Sequence, residues 1–486
     1  MKISKVNEVY LTLEVDDSLE RELSDYFTFE VPGAKFMPQY RNRIWDGKIR
    51  LFSPHNGRIY VGLLPYIKEF CLRNSIEYII EEGVENVRNV VRESVGDFAK
   101  SLRPTSQGKS IEFRDYQIDA IHHAISTDRA LLVSPTASGK SLIIYTLIRY
   151  YHMMGLKTLI LVPTTSLVEQ MYNDFINYGH DEKAMHRIYS GRDKVGDCSI
   201  YISTWQSIYK LPKAWFSQFG MVVGDECHGF KSKSLMSIMN KCSEAPYRFG
   251  TTGTLDGALT HELVLQGLFG KVMKVTTTKS LQDNDTLAKL EITRLILDYD
   301  KDIKKNFGNK KYHEEIDYIV THEKRNNLIA NLTIKQKGNS LVLFQFVEKH
   351  GEPLFKLIRE KAEENRKVFY VSGNIDTADR EAIRKITETQ ENAIIVASLG
   401  TFSTGINIRN LHNIIFASPS KSQIRVLQSI GRGLRKSDNN KATKLFDLID
   451  DISYLGRKNF ALLHGFERLK IYDKEKFTHK TYKVDI

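Results

Sequence analysis

Cysteine is scarce: Cys71, Cys198, Cys227 and Cys242 are the four in 486 residues. No two lie two residues apart, and no histidine accompanies them at zinc-finger spacing, which argues against a disulfide framework or a cysteine zinc site. Free thiols in a reducing compartment are expected. No run of about 18 apolar residues occurs, so no membrane-spanning helix is expected. The opening MKISKVNEVYLTLEVDD is charged throughout and does not read as a secretory signal, so a cytoplasmic protein is expected. Proline is sparse, at 11 residues, and there is neither a short repeat nor a low-complexity tract. Acidic residues are outnumbered, 59 against 70 Lys and Arg, leaving a net charge of +11. That balance suits a polyanionic partner, nucleic acid above all. The scattered Met and His residues define no metal or cofactor site, and no nuclease constellation is evident.

Apolar runs of four to six residues alternate with helical periodicity through most of the chain. RALLVSP, TLILVP, SIYIS and FGMVVGDE read as buried strands, and NSLVLFQF, KVFYVSG, AIIVAS and NIIFAS form a second series. Such runs mark parallel sheets of α/β type. Polar stretches near 100–110 and 281–289 separate three parts: a small domain over 1–105, an α/β domain over 106–283 and another over 284–486. KDIKKNFGNKK (301–311) reads as a solvated loop, and the end, from Phe460, as a helix followed by a basic tail.

GKS occurs twice. At 108–110 it has no strand before it. At 139–141 it follows ALLV and opens SLIIYTLIRYY, the strand–loop–helix order that a phosphate loop requires. The stretch SPTASGKS (Ser134, Pro135, Thr136, Ala137, Ser138, Gly139, Lys140, Ser141) departs from the usual pattern only in Ser134, which stands where glycine is usual. A helix N-terminus offers free N–H groups and a positive dipole end. Gly139 allows close backbone approach, Lys140 reaches the β- and γ-phosphates of ATP, and the Ser141 hydroxyl suits Mg²⁺. Asp225 and Glu226 close a strand, where ligands of parallel sheets bind. Asp225 suits the metal, and Glu226 suits polarising the attacking water.

Asp225-Glu226-Cys227-His228, following this loop, resembles the DExH box of superfamily 2 helicases, and the remaining motifs appear in that family's order. FRDYQ, with Arg114 and Gln117, resembles the adenine-reading segment. LVPTTSLVEQ, with Pro163 and Thr164, and STWQS, with Thr204 and Gln206, resemble strand-contacting motifs. TTGTLDG (251–257) stands at the coupling motif, LVLFQFVEKH at motif IV, and ASLGTFSTGINI, with Ser403, Thr404 and Gly405, at motif V. QSIGRGLRK matches motif VI in Gln428, Gly431, Arg432 and Arg435. Each motif alone is weak; the ordered set is specific. The resemblance implies two tandem RecA-like parallel-sheet domains after a small N-terminal α+β, hairpin-containing domain. It also implies catalytic roles for His228 and Gln428, an ATP contact at Gly405, and nucleic-acid contacts at Ser372, Gly373, Ser403 and Thr404. Arg432 and Arg435, three apart, would share a helix face and serve as arginine fingers, a role worth about 10³–10⁵ in rate in other NTPases.

In YRNRIWDGKIRLF (40–52), Asp46-Gly47 reads as a two-residue hairpin turn pairing Trp45 with Lys48, Arg43 with Arg50 and Arg41 with Phe52. One face would be basic and aromatic, fit for phosphates and bases, or it would pack on the neighbouring α/β domain. NGRIYVGLL gives a second turn at Asn56-Gly57. This hairpin domain ahead of a DExH core resembles phage recombination helicases of the UvsW type. That resemblance implies an ATP- and Mg²⁺-dependent DNA helicase in the host cytoplasm. It would act on forks, Holliday junctions and R-loops, RNA included, in recombination, repair and replication restart, with strand annealing. A double-strand translocase or RNA helicase with the same engine, and an ATP-switched clamp or annealing protein, remain alternatives.

Overall fold

The computed structural model describes the chain except residues 86–87, 107, 231, 256–258, 285, 308–309, 374, 376, 406–409, 421, 423–425, 427–429 and 432–441. It falls into two compact units, one of Met1–Ser134 with Gly139–Val275, the other of Thr276–Ile486 with Pro135–Ser138.

The first unit begins with a five-stranded sheet in the order Phe52–Ser53, Arg58–Tyr60, Tyr10–Glu14, Lys2–Lys5, Ile79–Ile80. Its pairs are antiparallel except the last. The helix Asp17–Tyr26, capped by Asp16 accepting from Leu19 N, and the helix Leu64–Arg73 contribute Leu23, Ile67 and Phe70 to a core with Ile3, Leu11 and Ile59. Asn56-Gly57 does turn the chain between paired strands, with Gly57 at φ +61°.

The hairpin expected over 40–52 is corrected. Pro38 starts a helical turn, Pro38–Arg41, and Arg43 takes φ +55°. The chain then folds back, so that Ile44 N and Trp45 N donate to Gln39 O. Arg41, Arg43 and Trp45 are therefore not strand partners of Phe52, Arg50 and Lys48. Lys48–Arg50 instead pairs antiparallel with Thr28–Glu30, setting Ile49 beside Phe29 and Lys48 opposite Glu30. This distant pairing puts both apolar side chains against the core and opposes unlike charges, which the local hairpin could not do. Asp46-Gly47 still makes a turn, in which Asp46 Oδ1 accepts from Lys48 N.

The same unit contains a seven-stranded parallel sheet in the order Met185–Ile188, Ile200–Thr204, Lys157–Val162, Phe219–Asp225, Tyr247–Thr252, Arg129–Val133, Val272–Lys274. The four runs read as buried strands are all in it. The small domain is fastened to this sheet. Arg129 pairs with Glu8 at 2.7 Å, and Gly62 lies so close to the helix Leu259–Phe269 that a Cβ there would sit 2.0 Å from Gln266 O.

The second unit holds another seven-stranded parallel sheet, ordered Val368–Val371, Ile394–Ser398, Ser340–Phe344, Asn413–Phe416, Thr443–Asp451, Leu290–Asp298, Thr478–Asp485. Again the four expected strands are present. Two expectations fail here. Residues Lys301–Phe307 form a helix rather than a loop, with Lys304 paired to Asp298. The basic tail is an edge strand, where Lys483 pairs with the same aspartate at 2.8 Å. Buried Arg325–Asp450 and Arg468–Asp447 pairs, at 2.6 and 2.7 Å, cross-link this core.

Candidate ATPase site and nucleic-acid contacts

Strand order and register assemble the candidate nucleotide site. Arg129–Val133, Tyr247–Thr252 and Phe219–Asp225 are neighbours, with Val133 beside Thr252 and Thr251 beside Asp225. Their C-terminal ends therefore bring together Ser134, the Thr251–Thr252 pair and the acidic pair. Ser134 is buried, and its N–H donates to Thr252 O at 2.9 Å. A small residue fits that place, which accounts for serine instead of glycine.

Pro135 and Ser138 close the loop, Ser138 Oγ donating to Pro135 O at 2.6 Å. Thr136 lies between Pro135 and Ala137, and Ala137 takes φ +65°. Gly139, at φ +86°, leads into the helix Lys140–His152. The left-handed backbone favours glycine, and a Cβ on Gly139 would stand 2.3 Å from Gln117 Nε2, so a side chain there would also displace the Gln117 amide. Gln117 is buried on the helix Asp115–Thr127, and its Oε1 accepts from Arg114 N at 2.9 Å. The FRDYQ segment thus lies against Gly139 of the candidate phosphate loop. Lys140 Nζ donates to Ser134 O at 3.2 Å, and Ser141 occupies the first helical turn. The other GKS lies on a two-stranded hairpin, with Lys109–Ser110 paired to Thr105–Ser106, and begins no helix.

Asp225 is buried, and Oδ1 accepts a 2.7 Å hydrogen bond from the Thr251 hydroxyl. Burial, then the neighbouring Glu226, push its carboxyl above the usual range, opposed by Lys140 and the Thr251 bond. Two crowded carboxylates with one nearby ammonium suit a cation. Glu226 takes φ +50°, unusual for a side chain of this size and of the kind found at functional sites. Its Oε2 lies 3.4 Å from His228 Nδ1, which is 3.1 Å from Thr252 Oγ1. The Thr252 hydroxyl gives its proton to Thr254 O at 2.9 Å, so the histidine nitrogen donates in that pair. Thr251 escaped the sequence reading as a partner of Asp225. The available signal was a hydroxyl doublet ending an apolar strand beside an acidic one.

Pro163, Thr164, Thr204 and Gln206 also meet. Val162 and Thr204 are register partners, and Gln206 Nε2 donates to Pro163 O at 3.5 Å. Thr164 caps the helix Thr165–Asn177, accepting from Leu167 N, and Thr204 Oγ1 lies 2.9 Å from Ser207 Oγ. In the N-terminal domain Arg41, Arg43, Lys48 and Arg50 are exposed and Trp45 is half-buried. Their cationic groups thus face solvent rather than the α/β sheet. Arg50 is paired with Asp46, and Trp45 Nε1 donates to Lys48 O at 2.8 Å. In the second unit, Ser372 and Gly373 follow the strand Val368–Val371, and Ser403, Thr404 and Gly405 end the helix Leu399–Gly405. Gln428, Arg432 and Arg435 lie outside the described residues. Among the described residues no helix is long and apolar enough to cross a membrane.

Three family models match. "DNA helicase UvsW, N-terminal" covers residues 2–81, "Type III restriction enzyme, res subunit" 110–257, and "Helicase conserved C-terminal domain" 323–437. The chain is 36% identical to the ATP-dependent DNA helicase uvsW of Enterobacteria phage T4, over 98% of both chains. It is 25% identical to the DNA 3'-5' translocase XPB2 of Sulfurisphaera tokodaii, over 76% of this chain and 87% of that one. The crystal structure of T4 UvsW superposes with a TM-score of 0.53 at 34% identity, covering 100% of this chain and 99% of that one. Identity of this order along the whole chain, together with both helicase-domain matches, establishes that this protein belongs to the UvsW-like ATP-dependent DNA helicases of superfamily 2.

Proposed function

We propose that the chain uses ATP hydrolysis to move along and unwind branched DNA: forks, Holliday junctions and R-loops. Its setting would be recombination, repair and replication restart in the cytoplasm, with strand annealing as a companion activity. The observation that carries this reading is the gathering of Asp225, Glu226 and Thr251 at neighbouring strand ends, with the Lys140 ammonium acting on Asp225 from the start of the helix Lys140–His152, in a chain whose residues 2–81 match the UvsW N-terminal model. Residues 1–105 supply nucleic-acid contacts, 106–283 the ATP site and 284–486 the second motor domain.

Residues 134–141 receive the triphosphate through backbone N–H groups and the Lys140 ammonium. Asp225 and Ser141 suit Mg²⁺, which would neutralise phosphate charge when bound. Glu226 orients and polarises the attacking water. His228, bonded to Thr252, joins this pair to the strand that leads into the coupling motif. Arg432 and Arg435 stabilise charge on the transferring phosphoryl group, Gln428 shares the catalytic role, and Gly405 contributes to ATP binding. Pro163, Thr164, Thr204 and Gln206, with Ser372, Gly373, Ser403 and Thr404, hold the strand. The test is ATPase stimulation and strand displacement on forks, Holliday junctions, R-loops and RNA duplexes side by side. Unwinding limited to RNA, or ATPase without displaced strand, would refute it.

A further inference from the structure

Between Thr28–Glu30 and Lys48–Arg50 the chain makes a compact excursion. It is closed at its base by Val31 N donating to Gly47 O at 2.8 Å. Inside it Gly33 takes a left-handed conformation, and Pro38 opens the turn Pro38–Arg41. Ile44 N donates back to Gln39 O at 2.9 Å, and Trp45 Nε1 to Lys48 O. The backbone is thus held from within, yet its tip is apolar and bare. Phe36 is 67% exposed, Met37 42%, Tyr40 41% and Ile44 75%. Isolated exposed hydrophobes need no explanation, but four on one braced loop of nine residues do.

The polar setting narrows what meets this tip. Tyr40 and Ile44 line an open groove of about 760 Å³ together with Lys35, Arg41 and Arg43. Lys35 Nζ lies 5.6 Å from the centre of the Phe36 ring. Among the described residues these three cations form no ion pair, whereas Arg50 is held by Asp46. An apolar and aromatic tip fringed by unpaired cations complements a ligand with flat apolar faces joined by anionic links. Unpaired nucleotides have that chemistry: bases stack on rings and aliphatic wedges, and phosphates meet guanidinium and ammonium groups.

We propose that the Phe36–Ile44 tip is a base-stacking wedge that receives the first unpaired bases at a DNA branch, with Lys35, Arg41 and Arg43 holding the adjoining phosphates. It rests on the branched-DNA reading above and assigns base contact to residues outside the helicase motifs. A braced loop presents its rings without an ordering cost on binding.

The test uses the full-length protein and synthetic forks carrying 2-aminopurine either at the first unpaired position or within a paired arm. The parent is expected to change the fluorescence at the first unpaired position and not in the arm. The triple variant Phe36→Ala/Tyr40→Ala/Ile44→Ala is expected to lose that change. Fork affinity should weaken about 5- to 100-fold for each stacked base lost, with an unaltered salt slope. The pair Arg41→Ala/Arg43→Ala is expected to keep the fluorescence change at saturating protein and to flatten the salt slope. Melting curves establish that each variant is folded, and Phe36→Leu/Tyr40→Leu gives a milder replacement. Unwinding of the same forks reads the underlying function separately. A parent that unwinds forks without perturbing the probe, or a folded triple variant that perturbs it as the parent does, overturns the wedge alone. Capture of a protein partner by the tip, with fork binding unchanged in the variant, overturns it too.

Discussion

The Thr251 hydroxyl donates to Asp225 Oδ1 at 2.7 Å across two neighbouring parallel strands, where register sets the two residues side by side. The bond fixes the buried carboxylate and favours its ionised form against the burial and the Glu226 charge that oppose it. Thr251→Val removes it while nearly keeping the shape. A hydrogen bond to a charged group contributes about 1.5–3 kcal/mol, so the Mg²⁺ requirement for ATPase should rise about tenfold or more. Losing support for the charged form raises the carboxyl pKa further, so the acid limb of the pH–rate profile should move to higher pH. Magnesium titrations and pH–rate profiles of parent and variant check both.

Lys140→Ala should abolish ATP hydrolysis while leaving the fold intact, because the phosphates lose their point charge and the backbone cradle stays. Lys109→Ala, in the other GKS, should leave turnover near the parent's, since Lys109 lies on a hairpin strand that opens no helix. Equal damage at both positions in a steady-state assay would refute the choice of loop.

What was legible in the sequence follows from burial. A parallel strand covered on both faces is a continuous apolar run, so ALLV, TLILV, GMVVGD and LVLF announced themselves. The strand, loop and helix that hold the candidate phosphate loop were legible because strand, glycine and helix follow one another locally. Partnerships made by distant residues were not. Nothing near residue 48 says that Thr28–Glu30 will pair with it. The edge strand Thr478–Asp485 is mostly exposed, so it lacks an apolar run and reads as a basic tail. Thr251 needs the sheet order before its neighbour is known.

His350 is wholly buried in the second unit, its Nδ1 3.0 Å from Ser418 Oγ. Burial, with the nearby Arg325 charge, pushes its imidazole down to about 3. The unfolded chain has a histidine near 6.5. Above that pH neither state is protonated and the residue adds no pH dependence. As pH falls from about 6.5 toward 3, only the unfolded chain takes up the proton. Stability then falls by about 1.4 kcal/mol per pH unit from this group. Denaturant unfolding between pH 7 and pH 5 should show a shallower decline in His350→Gln than in the parent, whatever the variant's absolute stability; parallel declines would contradict this.

Arg41 and Arg43 are exposed and Arg50 is paired with Asp46, so the basic residues of the N-terminal domain are not equivalent. Arg41→Ala and Arg43→Ala should each reduce the log–log salt dependence of DNA binding by about 0.7–0.9. Arg50→Ala should change that slope less, because its charge is already partly answered. Binding measured across a salt series, with a melting curve for each variant, decides this.

Glu226, set at φ +50° directly after Asp225, is assigned the water-polarising role, and that assignment carries the motor reading. The most direct test is strand displacement from a synthetic fork, with ATPase followed in the same reaction, for the parent and for Glu226→Gln. DNA-stimulated hydrolysis with displaced strand is expected for the parent. For Glu226→Gln, ATP-dependent retention on the fork is expected, with turnover reduced by orders of magnitude and no displaced strand. Near-parental hydrolysis or unwinding by Glu226→Gln would contradict the water-polarising role.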